Sequence, residues 1–370
     1  MTLSFQKLFF VLAFIFGLFA VLVTAKAILI PLSLALLISF ILFPVVRRLE
    51  VWGLNKLLSA FLTLLVLFIV IGGGITLFST QIMNLSNQLQ DFTGKIMSTL
   101  TDLVVYTNNN VNFIDDLKRD ELVDNGKRWL EESSGTLIQK TFSGSASFFT
   151  DFISTIIFTF LFLIYRKGLT GALIAFADDA NKSKILKMLK NIQSVGQKYL
   201  SGMFLLIIIL GCANSLGLWI IGIDSPFFFG FLAAILSIIP YVGTTIGAII
   251  PVLYAFMASD SLWTPVAVII LFWGIQLIES NFLSPKIVGN SLNVNALAAI
   301  LSLLIGASVW GIAGMVLFLP FAAILKVICE EFDQLKPVAM LISSDISDDS
   351  DKSTTTTKWI DKIKGWFKKS

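Results

Sequence analysis

Residues 226–257 read PFFFGFLAAILSIIPYVGTTIGAIIPVLYAFM, thirty-two positions without a charge. A helix crosses the ~30 Å hydrocarbon core of a bilayer with about 20 apolar residues. The run is therefore too long for one span and too short for two spans joined by a loop. Its middle carries Pro240 and Gly243, followed by Gly247 and Pro251. Proline lacks the amide proton a helix interior uses, and glycine weakens a helix, so the run predicts two half-length helices. Residues 296–328, ALAAILSLLIGASVWGIAGMVLFLPFAAILKVI, repeat the arrangement over thirty-three positions, with Gly306, Gly311, Gly314 and Pro320. Half-length helices leave backbone N–H and C=O groups unpaired at membrane depth, which protein or a wet cavity must cover. Paired broken segments are a sequence signature of a transporter's binding region, because half-helix ends present dipoles to a solute or ion. Close packing of helices through small residues is the plainer reading of the same positions.

Between the broken runs lies Gln276, Glu279, Ser280 and Asn281, four polar residues within six, followed by Pro285 and Lys286. They close the apolar run Leu262–Ile278. Gln276, Glu279 and Ser280 share roughly one helical face. A carboxylate there can surround a polar solute with its neighbours, or carry a proton or sodium ion; a solvated helix end is the alternative. Asn214 sits in the middle of the apolar run Met203–Ile223 and needs a partner. Asp151, near the start of the run Phe148–Tyr165, reads as an interfacial residue.

The composition agrees with a membrane setting. Of 370 residues, 56% are apolar and 14% charged, with a mean hydropathy of +0.86. A soluble domain carries roughly a quarter charged residues. The net charge of +3 is small, and the lysines and arginines sit mostly at the ends of apolar runs, so nucleic acid is not a partner. With no histidine and two distant cysteines, Cys212 and Cys329, no His-based chemistry, disulfide framework or metal site is expected. No phosphate-binding loop or dinucleotide fingerprint occurs. The expectation is a protein that is not an enzyme, has no cofactor, and does no work by its own ATP hydrolysis.

The remaining runs set a topology. Leu8–Ala25, Ala27–Val46 and Leu57–Phe78 form an N-terminal block over 1–80, the first read as a span and not a signal peptide. Residues 81–147 are polar, with apolar positions Ile82, Leu85, Leu89, Phe92 and Ile96 at helical spacing, which predicts an amphipathic helical hairpin outside the bilayer. Residues 148–335 form a C-terminal transport region, including a basic interfacial helix at 178–200 rich in lysine. Lysine and arginine bias places both termini in the cytoplasm. Residues 336–357 read as a disordered linker. Residues 358–370 carry Trp359, Ile360, Ile363, Trp366 and Phe367 among lysines, a basic amphipathic tail for the inner leaflet. The fold class is an all-α polytopic membrane protein. It has about six full spans, two Gly/Pro-broken re-entrant hairpins and an extracytoplasmic helical hairpin.

These motifs resemble the autoinducer-2 exporter family of permeases over about residues 1–335. The resemblance rests on QLIESNFLSPKIVGNSLNVN from Gln276 and WGIAGMVLFLPFAAILKV from Trp310, with support from IPYVGTTIGAIIP at Ile239–Pro251 and PLSLALLISFILFPVVRRLE at Pro31–Glu50. The family's Pro-Gly signature falls on Pro240, Gly243, Gly247 and Pro251. Its Glu-Asn-Pro signature falls on Glu279, Asn281 and Pro285, and its Gly-Gly-Pro signature on Gly311, Gly314 and Pro320. The resemblance implies a homo-oligomeric permease of the bacterial inner membrane that exports a small polar signal such as autoinducer-2. It also implies an alternative, sodium or lithium exchange for protons. A membrane scaffold or partner-binding protein is the second alternative, in which the 81–147 hairpin is the working part.

Overall fold

The structure is a computed structural model, which describes residues 5–76, 78–81, 149–239, 242–259, 261–289 and 292–344. The helical hairpin expected within 81–147 lies outside them apart from Gln81, as do Pro240 and the tail at 358–370. The described chain is helical: α1 (Phe5–Thr24), α2 (Lys26–Val51), α3 (Lys56–Gln81), α4 (Phe149–Ala175), α5 (Lys182–Ile221), α6 (Pro226–Leu236) and α7 (Val242–Ala258). Then follow α8 (Trp263–Ile278), α9 (Ala296–Glu331) and α10 (Lys336–Ile342). Six helices are long and apolar enough to cross a membrane: α2, α3, α4, α5, α8 with its extension to Gly289, and α9. The chain is a multi-pass membrane protein.

The six are not quite the six that apolar run lengths suggest. The apolar part of α1, Phe9–Thr24, falls in a shorter class with α6 and α7. α9 qualifies by length, yet its backbone leaves helical geometry at Gly311, with φ 60° and ψ −133°. α5 is one helix of 40 residues, about 60 Å long at 1.5 Å per residue. The basic stretch read at 178–200 is thus, from Lys182 on, continuous with the apolar run that follows it.

Two compact units divide the chain: Met1–Lys167 with Met203–Leu283, and Gly168–Gly202 with Ser284–Ser370. In the first, α2, α3 and α4 pack through Leu42, Val46, Ala60, Leu64 and Leu163. One end of this bundle is tied by Arg166. Its Nη2 donates to both carboxylate oxygens of Glu50, its Nη1 donates to the Leu163 carbonyl at 3.0 Å, and its guanidinium lies 5.3 Å over the Phe43 ring.

Also in the first unit, α6 and α7 form a tight helical hairpin. α6 has 11 residues and spans about 16 Å, half a hydrocarbon core. The chain turns after Leu236, and the two arms meet backbone to backbone. A Cβ on Gly243 would stand 2.9 Å from the Ser237 amide nitrogen, and one on Gly247 2.9 Å from the Ala233 Cα. Such approaches suit a bilayer, where lipid is as apolar as leucine and helices associate through close contact. Leu218 of α5, Phe228 and Phe229 of α6, Tyr254 of α7, and Val268 and Phe272 of α8 form one buried cluster around this hairpin.

The second unit holds the other broken segment. In a continuous helix, residues eight apart lie about 12 Å from each other. In α9, a Cβ on Gly314 would stand 2.9 Å from the Gly306 Cα, and the rings of Trp310 and Phe318 are 5.3 Å apart. The chain folds back at Gly311. Asn295 caps the outgoing arm by accepting from the Ala298 amide at 2.8 Å. Residues 336–342, read above as the start of a linker, form α10. Pro337 suits a first helical turn, and Val338, Ala339, Met340 and Leu341 supply an apolar helix-forming run. Any linker therefore starts after this helix.

Candidate functional site

Five polar side chains meet around the α6–α7 break, all within the first unit. Asn214 comes from α5, Ser237 from the end of α6, Thr244 from the start of α7, and Gln276 and Glu279 from the end of α8. They line a cavity of about 20 Å³ together with Leu210, Ala233, Ala234, Phe272 and Ile275. A buried water needs roughly 10–15 Å³ by the same measure, so there is room for one water or one small ion. Asn214 is 5% exposed, and its Oδ1 has no hydrogen-bond partner. An amide oxygen left unpaired in a protein interior costs about 1–3 kcal/mol, and such groups are rare in folded proteins. Gln276 and Glu279 are half-buried beside it.

The local backbone explains why α8 presents these groups. Pro285 cannot donate to the Asn281 carbonyl four residues earlier, and its ring would press on that carbonyl. The helix responds by widening into π turns at Glu279–Leu283 and Pro285–Gly289, a distortion often found at functional sites. Ser280 and Asn281 are exposed and bond back to their own helix. Ser280 Oγ donates to the Gln276 carbonyl at 2.9 Å, and Asn281 Nδ2 donates to the Leu277 carbonyl at 2.8 Å. Neither lines the cavity. Asn214, Gln276 and Glu279 do.

Of the helix-breaking residues, Gly243 and Gly247 sit where the α6–α7 arms touch, and Pro251 is fully buried within α7. Gly306, Gly311, Gly314 and the fully buried Pro320 belong to the α9 fold-back in the second unit. Ser237 and Thr244 were not singled out from the sequence, although both flank the Pro240–Gly243 break. Lys326 was also missed. It is 4% exposed; its Nζ donates to the Asn293 carbonyl at 3.1 Å and pairs with Glu330 at 3.3 Å. A lysine inside an apolar run was the available signal, since ionisable groups at such positions rarely lack a role.

The sequence profile of AI-2E family transporters matches residues 8–334. The chain belongs to the AI-2E family. Relatives align with most of its length. It is 27% identical over 318 residues to "Putative transport protein YrrI" of Bacillus subtilis, covering 84% of this chain and 88% of that protein. It is 22% identical over 319 residues to the AI-2 transport protein TqsA of Escherichia coli, covering 86% and 90%. Membership in the AI-2E family makes membrane transport the function of this chain.

Proposed function

We propose that the protein is a secondary permease of a bacterial inner membrane whose transport path runs through the Asn214–Gln276–Glu279 cavity. The observation that carries this reading is the buried, unpartnered Asn214 oxygen beside Glu279, at the break between two half-length helices. In this reading α6–α7 and the α9 fold-back enter the membrane as re-entrant hairpins, with their turns at depth. Both termini lie in the cytoplasm, residues 81–147 stand outside, and copies of the chain associate. Gln276, Glu279, Asn214, Ser237 and Thr244 supply hydrogen-bonding groups to a small polar solute leaving the cell, with Gly243, Gly247, Gly306, Gly311 and Gly314 letting the hairpin arms shift. Because TqsA is named for AI-2 transport, autoinducer-2 is the first solute to test.

The size of the cavity supports a second reading. About 20 Å³ accepts a water or a dehydrated ion and no organic molecule. A solute therefore passes only when the α6–α7 hairpin moves, whereas a sodium ion or proton needs no such opening. Proteoliposomes loaded with autoinducer-2 separate the two. Protein-dependent release supports the exporter. Collapse of a pH gradient by added sodium without release supports an antiporter, and silence in both contradicts transport through this site for either.

A further inference from the structure

A second and larger cavity, of about 300 Å³, lies among α2, α3 and α4, within the size range of small-molecule sites. It shares no lining residue with the Asn214–Glu279 cavity. Its wall is apolar except for one stripe on α4 formed by Asp151, Thr155 and Thr159. The four-residue spacing stacks these along one helical face over about 12 Å. Both hydroxyl protons are committed: Thr155 Oγ1 donates to the Asp151 carbonyl and Thr159 Oγ1 to the Thr155 carbonyl, each at 2.7 Å. The stripe therefore offers its cavity lone pairs and a carboxylate, and no donor. Among the described residues no lysine or arginine pairs with Asp151. Phe68 and Phe152 also line the space, with ring centroids 6.5 Å apart. Aromatic faces attract cations, most of all desolvated ones.

We propose that this cavity binds a lipophilic organic cation, its charge held by Asp151 and the two phenylalanine rings and its body between α2 and α3. An anionic head meets only acceptors here, and a neutral hydrocarbon leaves the carboxylate uncompensated in an apolar wall. The inference does not depend on what the Asn214–Glu279 cavity carries.

Equilibrium dialysis of the full chain in detergent micelles tests it, with tetraphenylphosphonium as probe and tetraphenylborate as a body of like shape and opposite charge. The expected result is saturable binding of the phosphonium and none of the borate. Asp151→Asn weakens phosphonium binding by about tenfold or more, Asp151→Glu retains it, and Ile71→Trp, which fills the cavity, removes it. Equal binding of both probes, no saturable phosphonium binding, or affinity unchanged in folded Asp151→Asn overturns the proposal. The comparison of the two probes on the unaltered chain stands even if a variant fails to fold.

Discussion

Gly306 and Gly314, eight residues apart in one helical segment, meet backbone to backbone across the turn at Gly311. Neither position has space for a methyl group. Gly306→Ala and Gly314→Ala are each expected to force the arms apart, at about 1–3 kcal/mol for overpacking. Gly311→Ala should cost a similar amount through its positive φ alone. Gly274→Ala in α8 is the control, because a Cβ there meets nothing within 4 Å. Melting temperatures in detergent should fall for the first three and stay level for the fourth.

Asn214 sets stability against activity. Replacing it with leucine removes a buried oxygen without a partner and fills the space with carbon. Asn214→Leu should therefore melt at or above the wild-type temperature, since the cost of about 1–3 kcal/mol disappears. Transport in proteoliposomes should be lost. A variant that melts lower yet transports normally would mean that the amide oxygen has a partner and no role in the path.

Lys326 holds the base of the α9 hairpin. Its ammonium bonds the carbonyl of Asn293, a residue at φ 53°, while Asn295 Nδ2 donates to the carbonyls of Leu341 at 2.7 Å and Ser343 at 3.1 Å. Lys326→Ala leaves the Asn293 carbonyl without this donor, and residues 341–344 should become more open to proteolysis. Glu330→Gln, at a half-exposed position, should lower protection less than Lys326→Ala, because the ammonium keeps its bond to the Asn293 carbonyl and glutamine still offers it an oxygen.

Arg166 combines a two-pronged bond to Glu50 with a cation–π contact to Phe43. Lysine keeps the charge but lacks the planar fork. Arg166→Lys and Arg166→Met should both lower the melting temperature, with Arg166→Met the larger effect because it removes the cation bonded to the Glu50 carboxylate. The pair is partly exposed, at 17% and 21%, so the loss should be on the order of 1–2 kcal/mol, between surface and buried pairs.

These cases also mark what the sequence made legible. Apolar run length and Gly/Pro placement were enough to find the α6–α7 break and a break within residues 296–328, because both effects are local to the chain; that the turn falls at Gly311 came from the structure. Asn214 and Glu279 stood out as polar groups in apolar surroundings. Their meeting with Ser237 and Thr244 did not, since it depends on how α5, α6, α7 and α8 pack. Ser280, next to Glu279 at the same helix end, does not line the cavity, and its hydroxyl bonds back to the Gln276 carbonyl. The boundary between the basic stretch and the run at 203–223 does not break the helix, because lysine and leucine are equally good helix formers, yet the two compact units divide there.

The most direct test of the account is the rate of autoinducer-2 release from proteoliposomes containing wild-type or Glu279→Gln protein, across a range of pH. Glutamine keeps the size of the side chain and removes its charge and its proton. If the Asn214–Glu279 cavity is the transport path, the variant should lose most of the wild-type rate and any pH dependence that rate has. Release by Glu279→Gln at the wild-type rate, with the wild-type pH profile, would contradict it.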